Sequence, residues 1–131
     1  MQTARTDLDD HHGNVTAGVH IANMAGTWMS LVNGFAGLRL ELGSNPGESI
    51  PHYKPYLPDD WDEYSFRVCH QQSVLQMTVT RKVLDDNHVV VAAEYELITD
   101  HSKGQTLKLK HHDIPFELDQ RNPNRSFVLV G

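Results

Sequence analysis

Histidines and carboxylates are the residues of this chain with chemistry to offer. Nine histidines are present, and four of them form the adjacent pairs His11-His12 and His111-His112. Adjacent residues of a strand face opposite sides, so such pairs rarely hold one metal ion together. The chain also lacks a His-x-x-x-His helix pair and a Cys-x-x-Cys. Both doublets therefore read as loop residues, and no metal site is expected. Asp7, Asp9 and Asp10, and separately Asp59, Asp60, Asp62 and Glu63, are grouped carboxylates that could act as general acid or base. They lie in polar segments and read as solvated turns and helix caps. The single cysteine, Cys69, falls between Val68 and His70 in a strand-like run and reads as a small filler.

His20 has a different setting. It falls in the first turn of a helix that Thr16 would cap, where free backbone N–H groups and the positive end of the helix dipole favour an anion. A protonated imidazole there adds a donor and a charge. The alternative is that His20 fills a polar gap at a helix start. Trp28, Trp61, Tyr56 and Tyr64 could stack on a sugar ring, but packing is the better reading for Trp28, inside the helix, and for Trp61.

Two unlike stretches must position these residues. From Thr16 to about Asn33 the pattern is helical, with no proline between Ala17 and Val32. Val19, Ile21, Ala22, Met24, Ala25, Trp28, Met29, Leu31 and Val32 cover more than one stripe of that helix. A helix apolar nearly all round is normally buried on most sides. After Asn33-Gly34 the period falls to two. Leu38, Leu40 and Leu42 mark a half-buried strand, and residues Gly43 to Asp60, with four of the six prolines, read as turns and extended loop. Tyr64, Phe66 and Val68 then alternate with polar residues, as do Leu75, Met77 and Val79, and Gln71-Gln72 suits a hairpin between them. Val89, Val91, Ala93, Tyr95 and Leu97 share a face. Leu107 and Leu109, then Ile114, Phe116 and Leu118, then Phe127 and Leu129 complete the series. Short strands with turns every eight to twelve residues predict a two-layer β-sandwich or jelly roll preceded by one buried helix.

Composition narrows the partners. The chain has 131 residues, 39% hydrophobic and 21% charged, values of an ordinary globular domain. Its net charge of −6, with no basic run longer than Arg81-Lys82, disfavours nucleic acid and acidic membranes. No apolar stretch reaches the roughly 20 residues needed to span a bilayer, and Met1 to Asn14 does not resemble a signal peptide. Cytoplasm is the expected compartment.

The run Gly18-Val19-His20-Ile21-Ala22-Asn23-Met24-Ala25-Gly26-Thr27-Trp28, followed by Asn33-Gly34-Phe35-Ala36-Gly37-Leu38-Arg39, resembles glycoside hydrolase family 65. This family includes maltose, trehalose and kojibiose phosphorylases. Asp7-Leu8-Asp9-Asp10 and His12-Gly13-Asn14 precede that run in the matching order. Pro55-Tyr56-Leu57-Pro58, Trp61 and Tyr64-Ser65-Phe66 resemble the family's second motif. The resemblance is clear from about Arg5 to Thr80. It departs at His70, Gln71, Gln72 and Ser73, where relatives usually carry Arg-Gly.

The resemblance implies a mainly β chain with an N-terminal helical segment. Residues 1–35 would be the last part of an (α/α)6 barrel and residues 36–131 a small C-terminal β-sandwich domain. The parent would be an inverting phosphorylase that turns an α-linked disaccharide and phosphate into β-glucose 1-phosphate and a sugar. Its glutamate general acid lies upstream, so no catalytic residue is expected in this chain, which alone should be inactive. By the same resemblance His20 contacts phosphate, with Thr16 and Gly18 shaping the same turn. No cofactor is expected beyond inorganic phosphate as co-substrate. The missing barrel is the expected packing partner, and a homodimer is allowed. The rival readings are a family hydrolase of α-glucosides and a stand-alone, non-catalytic carbohydrate-binding β-module.

Overall fold

A computed structural model describes residues 5, 8–10, 13, 15, 16, 18, 20–84, 87–100 and 106–129. One short helix, α1 (Ile21–Met29), runs into a π-helical turn (Ser30–Phe35). The strands that follow are β1 (Arg39–Leu42), β2 (Ser49–Tyr53), β3 (Glu63–His70), β4 (Ser73–Val83), β5 (Val89–Asp100), β6 (Leu107–His111), β7 (Ile114–Leu118) and β8 (Asn124–Leu129). They form two four-stranded sheets, ordered β1-β2-β6-β7 and β3-β4-β5-β8. The described residues are thus mainly β, in two sheets, as the alternation predicts.

The second sheet is antiparallel throughout, and its register follows the sequence period. Tyr64 faces Val79, Phe66 faces Met77, and Val79 and Met77 in turn face Ala93 and Tyr95. These residues enter one core with Leu75, Leu97, Leu107, Leu109, Phe116 and Leu118, all buried. Burying a side chain of this kind stabilises the fold by roughly 1.5–3 kcal/mol before entropy is counted. Tyr95 lies at the centre, its ring 5.0 Å from Phe116 and 5.4 Å from Tyr53 across the sandwich.

The β3–β4 hairpin closes through Gln71 and Gln72, between the paired His70 and Ser73. Both glutamines have positive φ, 47° and 63°. Right-twisted strands joined by two residues require this left-handed geometry. It is met here without glycine or asparagine, which explains why the turn is weakly marked in the sequence.

Three expectations need correction. Residues 43–60 are not all turn and loop, because β2 lies among them. Pro51 lacks an N–H for the ladder, and the parallel contact with β6 falls beyond it, at His52↔Lys110 and Tyr53↔His111. The helix does not begin at a Thr16 cap: His20 is the N-cap residue (φ −80°, ψ 111°), and the last turn widens to π geometry. Leu40 and Leu42 are exposed, Leu42 at 93%, because β1 is an edge strand paired only with β2.

Candidate functional site

His20 stands at the positive end of α1. Its carbonyl accepts the N–H groups of Asn23 (3.0 Å) and Met24 (3.2 Å), and its side chain is exposed. The chain enters this position through Gly18, whose φ of +115° and N–H bond to the Val15 carbonyl (2.8 Å) turn the backbone. The Thr16 hydroxyl donates to the Gly13 carbonyl (2.9 Å) and does not cap the helix. Ala17 and Val19 lie outside the described residues, as do Asp7, His11 and His12.

No residue of α1 is buried. Ile21 is 83% exposed, and Trp28 and Met29 are about half exposed. The π-turn, by contrast, belongs to the sandwich. Val32 and Ala36 are fully buried, and Phe35 rests on Trp61 with ring centroids 5.0 Å apart. Backbone bonds fix this end: Tyr56 N–H to the Phe35 carbonyl (2.7 Å), Lys54 N–H to that of Ala36 (3.1 Å), and Leu38 N–H to that of Val32 (3.0 Å). Arg39 Nη1 donates to the carbonyls of Asn33 (2.9 Å) and Leu38 (2.6 Å), placing a cation at the negative end of the helix. The helix is anchored at its C-terminus, where Trp28 lines a pocket with Leu38, Leu40, Tyr53 and Val68, and His20 stands at its other end.

A polar network on the first sheet was not legible in the sequence. Glu41 accepts from Lys110 Nζ (2.5 Å) and pairs with His52 Nδ1 (2.5 Å), tying β1 to β2 and β6. Lys110, and secondarily His52, hold the Glu41 carboxyl below its ordinary range. Lys108 does the same for Glu48, at 2.8 Å. Among the described residues, His52 Nε2 and the Tyr53 hydroxyl are buried without a hydrogen-bond partner. Each residue of the Glu41–His52–Lys110 network sits on a different strand, so only the register brings them together.

His111 is not a loop residue. It ends β6, is 3% exposed, and its Nδ1 lies 2.8 Å from the Tyr95 hydroxyl. The His112 N–H donates to the Tyr53 carbonyl (2.8 Å) while its side chain faces solvent. Among the described residues no group of histidines, cysteines and carboxylates could hold a metal ion. Asp59, Asp60, Asp62 and Glu63 are exposed, as is Cys69. Trp61 and Tyr64 pack together, 6.2 Å apart, whereas Tyr56 is exposed.

Burial, reinforced by His112 and His52, lowers the His111 pKa to about 4. Above the ordinary value near 6.5 the imidazole is neutral in folded and unfolded chain alike. Below it the unfolded chain takes up a proton that the folded chain refuses. Stability is therefore expected to fall as pH drops from about 6.5 to about 4, by roughly 2–3 kcal/mol. Urea midpoints measured across that range check this, and His111→Gln should flatten the slope.

Among the described residues, then, a two-sheet β-domain carries on its N-terminal side an apolar helix with no fully buried residue. Residues 47–85 match the C-terminal domain of glycosyl hydrolase family 65. The chain is 33% identical over 127 residues to a maltose phosphorylase of Bacillus subtilis, a match covering 94% of this chain and 14% of that protein. It is 42% identical over 82 residues to an α,α-trehalose phosphorylase of Geobacillus stearothermophilus, covering 63% of this chain and 10% of that protein. A solved structure described provisionally as a kojibiose phosphorylase from the human microbiome superposes with a TM-score of 0.71 at 21% identity. That superposition spans 97% of this chain and 14% of the other, and establishes the fold. The chain is thus similar to glycosyl hydrolase family 65, most directly to that family's C-terminal domain. It spans about one-seventh of the length of the maltose phosphorylase it matches. Among the described residues no helix is long and apolar enough to cross a membrane.

Proposed function

We propose that this chain is the C-terminal part of an inverting disaccharide phosphorylase that acts in the cytoplasm. Residues 1–35 end a helical (α/α)6 barrel, and residues 36–131 form the β-sandwich that follows it. In the whole enzyme a glutamate supplied by the barrel protonates the glycosidic oxygen. Phosphate attacks the anomeric carbon from the opposite face, releasing β-glucose 1-phosphate and the second sugar. Phosphate takes the place of the base-activated water of an inverting hydrolase, so one carboxylate suffices. His20 donates a hydrogen bond to the phosphate at the helix start, and Thr16 and Gly18 shape the turn that presents it. The chain alone holds no general acid and turns over no substrate.

The observation that carries this reading is the apolar helix α1, which buries no residue against its own chain. An exposed apolar surface of this kind is an interaction surface, and the barrel is its partner. The relatives' names, each a phosphorylase of an α-linked disaccharide, support the reaction class.

The test is to express this chain joined to its upstream reading frame and assay maltose, trehalose and kojibiose with and without phosphate. One disaccharide should be cleaved only when phosphate is present, and the 131-residue chain should cleave none. Equal turnover without phosphate would replace phosphorolysis by hydrolysis.

A further inference from the structure

The outer face of the β3-β4-β5-β8 sheet contains a shallow groove of about 400 Å³ that the proposed reaction does not use. Pairing across the strands aligns Arg67, Gln76, Glu96 and Asn124 in one row and Ser65, Thr78, Glu94 and Ser126 in the next. Six of these residues line the groove: Gln76, Thr78, Glu94, Glu96, Asn124 and Ser126. Gln76, Thr78 and Glu94 are only half exposed. Two corners are fixed by neighbours. Arg67 Nε donates to Gln76 Oε1 (2.9 Å), which turns the amide N–H groups of Gln76 outward, and Lys82 pairs with Glu94.

We propose that this groove binds a neutral saccharide. The set offers carboxylate acceptors, amide groups of both kinds and hydroxyls, which match a ligand whose every hydroxyl both donates and accepts. The groove carries charges of both signs: Lys82 pairs with Glu94, Glu96 is a carboxylate, Arg67 borders the row and Arg125 contributes to the lining. A small anion or cation therefore gains little there. Glu96 and Asn124 face each other on neighbouring strands and can bridge adjacent hydroxyls of one pyranose. Gln76 and Glu94, already held in place, need little further ordering to bind. The exposed lining is hydrogen-bonding rather than aromatic, so binding is weak and orientation-specific. Such a subsite lies on the β-domain and would hold substrate or product beside the enzyme rather than react with it. Its failure would leave the phosphorylase reading intact, because no residue of the groove takes part in that chemistry. The family match guides only the choice of α-glucosides as probes.

The experiment is calorimetric titration of the 131-residue chain with maltose, trehalose and kojibiose, with backbone amide shifts followed in parallel by NMR. Saturable heat is expected with at least one disaccharide, with shifts at Gln76, Glu94 and Glu96. Glu96→Gln and, separately, Asn124→Ala should each weaken binding about tenfold, the loss of one strong hydrogen bond. Glu63→Gln, on the same face but outside the groove, should change nothing. Absence of saturable heat with all three sugars overturns the proposal, and so does unchanged affinity in both groove variants.

Discussion

In an enzyme that joins this chain to its upstream barrel, His20→Ala is expected to lower kcat/KM for phosphate about a hundredfold, the loss of a donor aimed at developing charge. Three features of the helix start support that size. The His20 carbonyl is engaged inside the helix by Asn23 and Met24, so the backbone at this position is fixed. The side chain is exposed at the N-cap, where first-turn N–H groups and the helix dipole both face an incoming anion. A phosphate dianion there accepts the imidazole N–H in a charge-assisted bond. His20→Gln keeps an N–H donor and should recover part of the loss. Steady-state rates with phosphate and disaccharide varied in turn decide the matter. The effect should fall on the phosphate dependence while KM for the disaccharide stays within about threefold, a change of less than 1 kcal/mol. A loss confined to thermal stability, or one shared equally by both substrates, would show that His20 only packs the helix start.

How far the fold was legible depended on whether one period ruled a segment. Tyr64 to Val79 alternate strictly, and β3 and β4 follow that alternation residue for residue, with Tyr64, Phe66, Leu75, Met77 and Val79 all inward. The segment Ser49–Tyr53 was missed because its proline and two neighbours, Pro46 and Pro55, outweighed its short strand pattern. Tertiary pairing with β1 and β6 made it a strand nonetheless. Leu40 and Leu42 show a related failure. Alternation predicts which face a side chain takes, but not whether anything packs opposite that face of an edge strand. The site divides in the same way. Thr16, Gly18 and His20 stand near one another in the chain and could be singled out from it, although the cap fell at His20 rather than Thr16. The Glu41–His52–Lys110 network and the Tyr95–His111 pair join residues on different strands, so no local pattern could reveal them.

The largest expected effect on stability comes from one methyl group. Gly37→Ala should cost about 3 kcal/mol or more, and Gly34→Ala, three residues earlier, should cost nothing measurable. Gly37 follows the π-turn with φ of +64°, the left-handed region in which a Cβ is disfavoured by roughly 1 kcal/mol or more. Space adds to that penalty. A Cβ at Gly37 would stand 2.6 Å from the Lys54 carbonyl oxygen, which is backbone and cannot swing aside. Relief requires the chain at Lys54 to move, yet the Lys54 N–H is bonded to the Ala36 carbonyl and the Tyr56 N–H to that of Phe35. The same displacement would pull Val32 and Ala36 out of the core and release the anchored end of the helix. Gly34 has no positive φ and no atom within 4 Å of its added Cβ, so alanine there only reduces the freedom of the unfolded chain. For a domain whose whole stability is about 5–15 kcal/mol, the first substitution removes a large fraction. Thermal unfolding followed by circular dichroism should show Gly37→Ala melting roughly 10 °C lower and Gly34→Ala unchanged. Equal melting of the two variants would mean that the junction between helix and β-domain is loose. The β-domain could then not hold the helix, or His20 at its far end, in a fixed direction.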